Sequence, residues 1–450
     1  MRNRTAGFVP SFLLGLLSVG ARPAVSGAEE PPNSLVAEAQ AFASDLAAGE
    51  FHDAAGRFDP TMAAAIPADK LRDLWGQLEK QSGPFQSFGS STTGEVSGLK
   101  VVYVPARFKA GALRLKIVFD RQAKITGLWF EPTDAAAGPS YQPPPYDNPE
   151  RYYEQDVEFG DETWRVKGKL TTPRTRALAP VVVLVHGSGP HDEDESIGPN
   201  KPFRDLATGL SSNGIAVLRY QKRTFAYRLR LAAVGTITVR EEVIDDALAA
   251  VDFLRTQSSV DRSRIYVLGH SLGASLAPQI ASEAKDLAGV ILLSGTPRDF
   301  CDVLIQQLDY IAGLKAPNQE ANRKIAVETK ALIAKFREGK VGQDEMLLGV
   351  PLSYWTELSE AVGRSLKLAD SATCRMLIAG GGRDYQVTRK DFDAYRKALG
   401  ARNNVTYKWF KAVNHLFTRG EKMGTPDEYG RAGHVDPEVI EYLTQWIRDR

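Results

Sequence analysis

Ile265-Tyr266-Val267-Leu268-Gly269-His270-Ser271-Leu272-Gly273-Ala274-Ser275-Leu276-Ala277 is the stretch that decides the architecture of this chain. Its first four apolar residues read as a buried strand, and Ala274 onward reads as a helix. A sharp strand-to-helix turn needs glycine at Gly269 and Gly273, because a Cβ there would collide with the neighbouring backbone. The turn lifts the Ser271 hydroxyl to the edge of a sheet, with the helix N-terminus behind it. Gly-x-Ser-x-Gly alone is a weak signal in a chain with 39 glycines. A strand before it and a helix after it make Ser271 a candidate nucleophile.

Short apolar runs recur on both sides, at 180–185, 215–220, 290–293, 376–379 and 405–410. Such continuous runs suit parallel strands covered on both faces. Segments 240–255 and 271–284 have helical periodicity, and two edge strands are expected at 153–159 and 163–170. Together these predict an α/β domain over 150–450 with a doubly wound, mostly parallel sheet. The connection 297–372 is too long to lack structure of its own, so it reads as a helical cap over the C-terminal edge of the sheet, with helices at 319–339 and 357–368.

Upstream the pattern differs. Leu35, Val36, Ala39, Phe42, Ala43, Leu46 and Ala47 recur at helical spacing within 34–58, and Leu71, Leu74, Trp75 and Leu78 mark a second helix. Strands follow at 100–108, 113–119 and 125–130, with a tight turn at 119–125. Helices followed by antiparallel strands predict a small α+β domain over 34–132. Residues 133–149, with Ala135-Ala136-Ala137-Gly138-Pro139 and Pro143-Pro144-Pro145, read as a linker. At the start, Arg2 and Arg4 precede an apolar stretch from Phe8 to Leu17, and small residues occupy 24–28. Residues 1–28 therefore read as a cleaved export signal rather than a membrane anchor.

Composition narrows the function classes. Charged residues balance, 56 Lys plus Arg against 55 Asp plus Glu, so no long-range field would gather nucleic acid. The two cysteines, Cys301 and Cys374, fall beyond opposite ends of parallel strands, roughly 17 Å apart, too far for a disulfide. Trp75, Trp129 and Trp409 read as core residues.

A serine hydroxyl needs a base to become a nucleophile, and the base needs an acid to fix its tautomer. His415 follows the last strand and is the first choice for the base, ahead of His434 and His191. Asp384, in Gly380-Gly381-Gly382-Arg383-Asp384-Tyr385, follows the preceding strand and is the first choice for the acid, ahead of Asp299. An oxyanion needs fixed N–H donors. Leu272 N–H, directly after the nucleophile, and Ser188 N–H, in His186-Gly187-Ser188-Gly189-Pro190, are the candidates. The run His191-Asp192-Glu193-Asp194-Glu195 has metal-ligand types but reads as an acidic loop paired with Arg or Lys, and Tyr220-Gln221-Lys222-Arg223 as a salt-bridged loop.

These segments, with Ser294-Gly295-Thr296-Pro297-Arg298 and Asn414-His415-Leu416-Phe417, carry a resemblance. Residues 150–450 resemble the α/β-hydrolase superfamily, and more narrowly the dienelactone-hydrolase-like esterases with an N-terminal domain of unknown function; the small domain is similar in layout to the NTF2-like group. The resemblance implies hydrolysis of short-chain carboxylic esters by a small-molecule serine esterase without metal or organic cofactor. Two departures stand out: Thr224 follows Lys222-Arg223 where glycine is usual, and Thr388 stands where proline is common. Both are expected to alter the pocket rim and not the triad. An amidase or peptidase, a thioesterase, and a ligand-binding module with a silent hydrolase fold remain as alternatives, and the oligomeric state is open.

Overall fold

The computed structural model describes residues 32–449 except 97–98, 110, 133–140, 228–230, 232–236, 317–318 and 349. The expected export signal, 1–28, lies outside the described residues, as does the first half of the expected linker. Residues 32–132 form one compact unit, and residues 141–227 with 237–449 form another. No helix among the described residues is long and apolar enough to cross a membrane.

The small unit begins with α1 (Pro32–Ala48), whose Leu35, Ala39, Phe42, Ala43 and Leu46 share one buried face. The helix expected to run to residue 58 stops earlier. Gly49 takes φ 81°, and a new short helix, α2 (Phe51–Ala55), starts beyond it. Next come α3 (Pro60–Ala65) and α4 (Ala68–Ser82). Strands β1 (Phe85–Phe88), β2 (Thr92–Val96), β3 (Leu99–Phe108), β4 (Gly111–Phe119) and β5 (Ile125–Pro132) make one antiparallel sheet in the order β1-β3-β4-β5, with β2 also on β3. Trp75 packs against Phe85, Phe108 and Phe130 in the core of this unit. Trp129 is only half buried, with the Lys116 ammonium over its ring.

The large unit is built on eight strands: β6 (Tyr152–Gly160), β7 (Arg165–Pro173), β8 (Ala179–Val185), β9 (Ala216–Tyr220), β10 (Val260–His270), β11 (Gly289–Leu293), β14 (Arg375–Gly381) and β15 (Val405–Phe410). Their order is β15-β14-β11-β10-β8-β9-β7-β6, and β6 and β7 are the antiparallel members. Alternation explains the apolar runs. Val181, Val183 and Val185 feed one core, while Val182 and Leu184 feed the other. Helices α7 (Asp245–Thr256), α8 (Leu272–Ala284) and α12 (Arg389–Leu399) cover the first core; α5 (Pro202–Ser212) and α13 (Pro437–Arg448) cover the second. The short α6 (Arg223–Ala226) follows β9. From β8 the chain goes to β9 on one side and later to β10 on the other, so the strand order reverses there. Open α/β sheets place their sites at such a switch point, outside the strands' carboxyl ends.

Segment 297–372 holds α9 (Phe300–Gly313), α10 (Gln319–Arg337), a hairpin of β12 (Met346–Leu347) and β13 (Val350–Pro351), and α11 (Leu352–Ser371). The last helix of the segment departs from the expected cap. Leu352, Trp355, Leu358, Ala361, Val362 and Ala369 place α11 in the main core with α8, as the crossover helix from β11 to β14. The second half of the expected linker is not a free connection either. Tyr141 donates to Asp205 at 2.7 Å, Tyr146 to the Val435 carbonyl at 2.7 Å, and Ser212 accepts from Asn148 N–H at 2.9 Å. Cys301 is buried in α9, Cys374 precedes β14, and both are free thiols. Trp409 is half buried, beneath the Arg389 guanidinium.

Candidate active site

β10 ends at His270, and Ser271 makes the turn into α8 with φ 54° and ψ −112°. A side chain held at positive φ is strained, and such strain persists only where the surroundings impose it. They do so here through two glycines. A Cβ on Gly269 would lie 2.2 Å from the Gly273 carbonyl, and one on Gly273 would lie 2.3 Å from the Val185 carbonyl. Ser271 N–H is bound to the Leu293 carbonyl at 2.9 Å, which fixes the turn against β11.

His415 and Asp384 come together from two loops at the same sheet edge. His415 Nδ1 lies 2.7 Å from Asp384 Oδ2. The other carboxylate oxygen accepts from Gln386 N–H at 2.8 Å and Val387 N–H at 3.0 Å, so the acid cannot swing away without losing both. Asn414 fixes the histidine loop by accepting from Leu416 N–H and Thr418 N–H, and its amide donates to Glu428. Arg383 pairs with the same Glu428, which ties the two loops together. His415 and Asp384 are both buried, which shields their hydrogen bond from water. The ring of His270, next to Ser271, reaches the His415 carbonyl through Nε2 at 2.9 Å.

The first βα loop runs beside the nucleophile: a Cβ on Gly187 would lie 3.2 Å from Ser271 Cβ. Gly187 N–H is already taken by Glu195 Oε1 at 2.7 Å. Ser188 N–H has no acceptor among the described residues. Leu272 N–H opens α8, where a helix has no acceptor of its own for its first donors. Leu272 is thus the immediate neighbour of Ser271, and the loop of Gly187 and Ser188 runs beside it.

The reserve candidates are engaged with other partners. His434 faces Asp205 at 3.2 Å, and His191 Nε2 meets the Ser188 carbonyl at 2.8 Å. Asp299 caps α9 and pairs with Arg337 at 2.7 Å. The acidic run disperses: Asp192 holds Ser196, Glu193 meets Gln221, and Asp194 pairs with Arg219 and Lys201. Among the described residues no acid, histidine or cysteine cluster is arranged to hold a metal ion.

A family model described as serine aminopeptidase, S33, matches residues 177–422, more than half of the chain. The chain belongs to this family. A second model, described as a protein of unknown function (DUF3887), matches residues 39–128 of this S33-type hydrolase. Esterase EstD of Thermotoga maritima is 38% identical over 411 residues, which is 91% of this chain and 94% of that one, so the likeness takes in both units. Among solved structures, Est1E from Butyrivibrio proteoclasticus is 17% identical with a TM-score of 0.42, covering 66% of this chain and 99% of that chain. An esterase from Pyrococcus furiosus is 19% identical with a TM-score of 0.41, covering 68% and 98%.

One feature of the hydrolase site was invisible in the sequence. His270 Nδ1 and Glu195 Oε2 face each other at 2.9 Å, both side chains buried. Burial alone would push the Glu195 carboxyl up, but the His270 charge and contact outweigh it and hold it at about 2. Burial would likewise lower His270, yet Glu195 outweighs that and raises it. His186, without such a partner, is driven by burial to about 3 and stays neutral. Glu195 reads as part of an acidic loop paired with Arg or Lys, and nothing local links it to His270, 75 residues away.

Lys222 agrees with its reading as part of a salt-bridged loop. It is ion-paired, to Glu242 at 2.5 Å, and it also donates to the Gly187 carbonyl at 2.8 Å. The ammonium is buried against the loop of Gly187 and Ser188. Arg223 pairs with Asp246 at 2.6 Å, and Thr388 caps α12 with Asp391.

Proposed function

We propose that this hydrolase cleaves short-chain carboxylic esters through an acyl-Ser271 intermediate. The ester-hydrolase class is supported by the 38% identity to Esterase EstD across nearly the whole of both chains. The mechanism is carried by one observation: Asp384, anchored by two backbone donors, holds Nδ1 of His415 in the loop that His270 binds beside Ser271. With Nδ1 committed to Asp384, His415 Nε2 is the nitrogen left to act as base.

In the proposed cycle His415 takes the Ser271 proton as Oγ bonds to the ester carbon. The carbonyl oxygen becomes an oxyanion and rests on the N–H groups of Leu272 and Ser188. His415 then gives its proton to the departing alkoxide, and the carbon–alkoxide bond breaks. Water, deprotonated by the same His415, attacks the acyl carbon; the bond from that carbon to Oγ breaks, and His415 returns the proton to Oγ, which frees the acid and Ser271. The short-chain preference rests on the resemblance to dienelactone-hydrolase-like esterases, and action outside the cytoplasm rests on the basic and apolar pattern of residues 1–28.

The S33 description keeps a peptidase reading in view, since the same triad cleaves amides when an amine leaving group is held and protonated. A panel of aryl esters, thioesters and aminoacyl anilides, run with the wild-type chain and Ser271→Ala, separates these readings. Ester turnover above amide turnover, lost in Ser271→Ala, is expected. Amide turnover exceeding ester turnover, or activity kept by Ser271→Ala, would overturn the proposal.

A further inference from the structure

Every backbone unit of the described chain is trans, and in a trans peptide the C=O and N–H point in opposite directions. The unit whose carbonyl belongs to Gly187 carries Ser188 N–H on its other side. Whatever fixes the Gly187 carbonyl therefore fixes the direction of the expected oxyanion donor. The group that does so is the buried ammonium of Lys222, at 2.8 Å. The preceding peptide unit is held by the Glu195 carboxylate through Gly187 N–H. Gly187 thus sits between an anionic acceptor and a cationic donor.

Lys222 is itself held in place. Glu242 accepts from it through Oε1 at 2.5 Å, and Tyr354 of α11 donates to Glu242 Oε2. Burial, with the neighbouring Glu242 charge, raises Tyr354 far above its usual range and keeps it a donor. Glu242 lies in a π-helical turn, Arg240–Ile244, a local irregularity of the kind found at functional sites. Lys222 thus gives one ammonium donor to Glu242 and another to the Gly187 carbonyl, which ties the loop to the ion pair. The neighbouring buried pairs Arg219–Asp194 and Arg223–Asp246 make no bond to residues 186–190 among the described residues.

We infer that Lys222 is a positioning residue for the oxyanion site, aiming and polarising Ser188 N–H through the Gly187 carbonyl; the inference rests on the acyl-transfer reading above. A charged donor on a carbonyl draws electron density through the peptide and makes its N–H a stronger donor. The effect belongs to the transition state, where the oxyanion forms, and not to substrate binding.

The test compares the full-length wild-type chain with Lys222→Met and Lys222→Met/Glu242→Gln. Steady-state kinetics with an aryl acetate, inhibition by an arylboronic acid and thermal unfolding are measured for each. Lys222→Met leaves Glu242 buried without its counter-charge and loses stability; the double variant neutralises both and regains it. In the double variant kcat is expected to fall about 10- to 100-fold with KM unchanged, and boronate inhibition to weaken by a similar factor. Wild-type kcat in a stable double variant, or a loss confined to KM, would overturn the inference. If neither variant folds, Tyr354→Phe loosens Glu242 without removing a charge. A smaller drop in kcat at constant KM is then expected, and wild-type kcat would overturn the inference. A wild-type chain without esterase turnover, or an active Ser271→Ala, would instead fail the acyl-transfer reading itself.

Discussion

His270 Nδ1 faces Glu195 Oε2 at 2.9 Å, and through this pair the turn that carries Ser271 is tied to the loop that carries Ser188. Nε2 of the same ring reaches the His415 carbonyl. Three loops at one sheet edge are thus joined by one imidazole.

Glu195→Gln keeps the shape of the pair and removes its negative charge. The cost is on the order of 3–5 kcal/mol, because a buried histidine loses its counter-charge. The pH dependence follows from the two shifts. Glu195 sits at about 2 when folded against an ordinary 4.5, so its stabilisation is present above pH 4.5 and lost as pH falls toward 2. His270 is raised above its ordinary 6.5, so its stabilisation is full below pH 6.5 and lost as pH rises through the folded value. The two windows overlap between pH 4.5 and 6.5. Thermal unfolding of both proteins should show a wider gap at about pH 5.5 than at about pH 9. An equal gap at both would contradict the ion pair.

Asp384→Asn turns an amide N–H toward His415 and favours the wrong tautomer, while an oxygen remains for Gln386 and Val387 N–H. A fall in kcat of about 10³- to 10⁴-fold is expected, with the fold retained. Asp299→Asn, at the cap of α9, should leave turnover at the wild-type level. Steady-state kinetics and circular dichroism on the two variants check both expectations.

Thr388→Ala removes one half of the capping box that opens α12. Loss of such a cap costs about 1 kcal/mol. Denaturant unfolding should register that loss, while kcat stays unchanged because Thr388 stands outside the acid–base pair.

Much of this was legible in the sequence, for physical reasons that can be named. Val181 to Val185 reads as a strand because both of its faces are buried, and Gly269 and Gly273 announce the turn because no other residue fits. That Asp384 and His415 would meet could be read from their places after successive strands. What escaped depends on tertiary neighbours. Helix α11 looked like part of a cap because its length gave no hint that it lines the main core beside α8. Residues 141–149 looked like linker because proline-rich composition hides the side-chain bonds of Tyr141 and Tyr146. Glu195 and Lys222 read as members of paired, charged loops, but nothing local names His270 and Glu242 as their partners, since a buried ion pair leaves no periodicity.

The central claim is that Ser271 carries the acyl group. The most direct measurement is mass spectrometry of the intact protein quenched during turnover of p-nitrophenyl acetate, followed by mapping of the modified peptide. An acetyl adduct on Ser271 that forms and decays with turnover, and is absent in Ser271→Ala, is the predicted result. Turnover with no adduct on Ser271, or with the adduct on another residue, would contradict it.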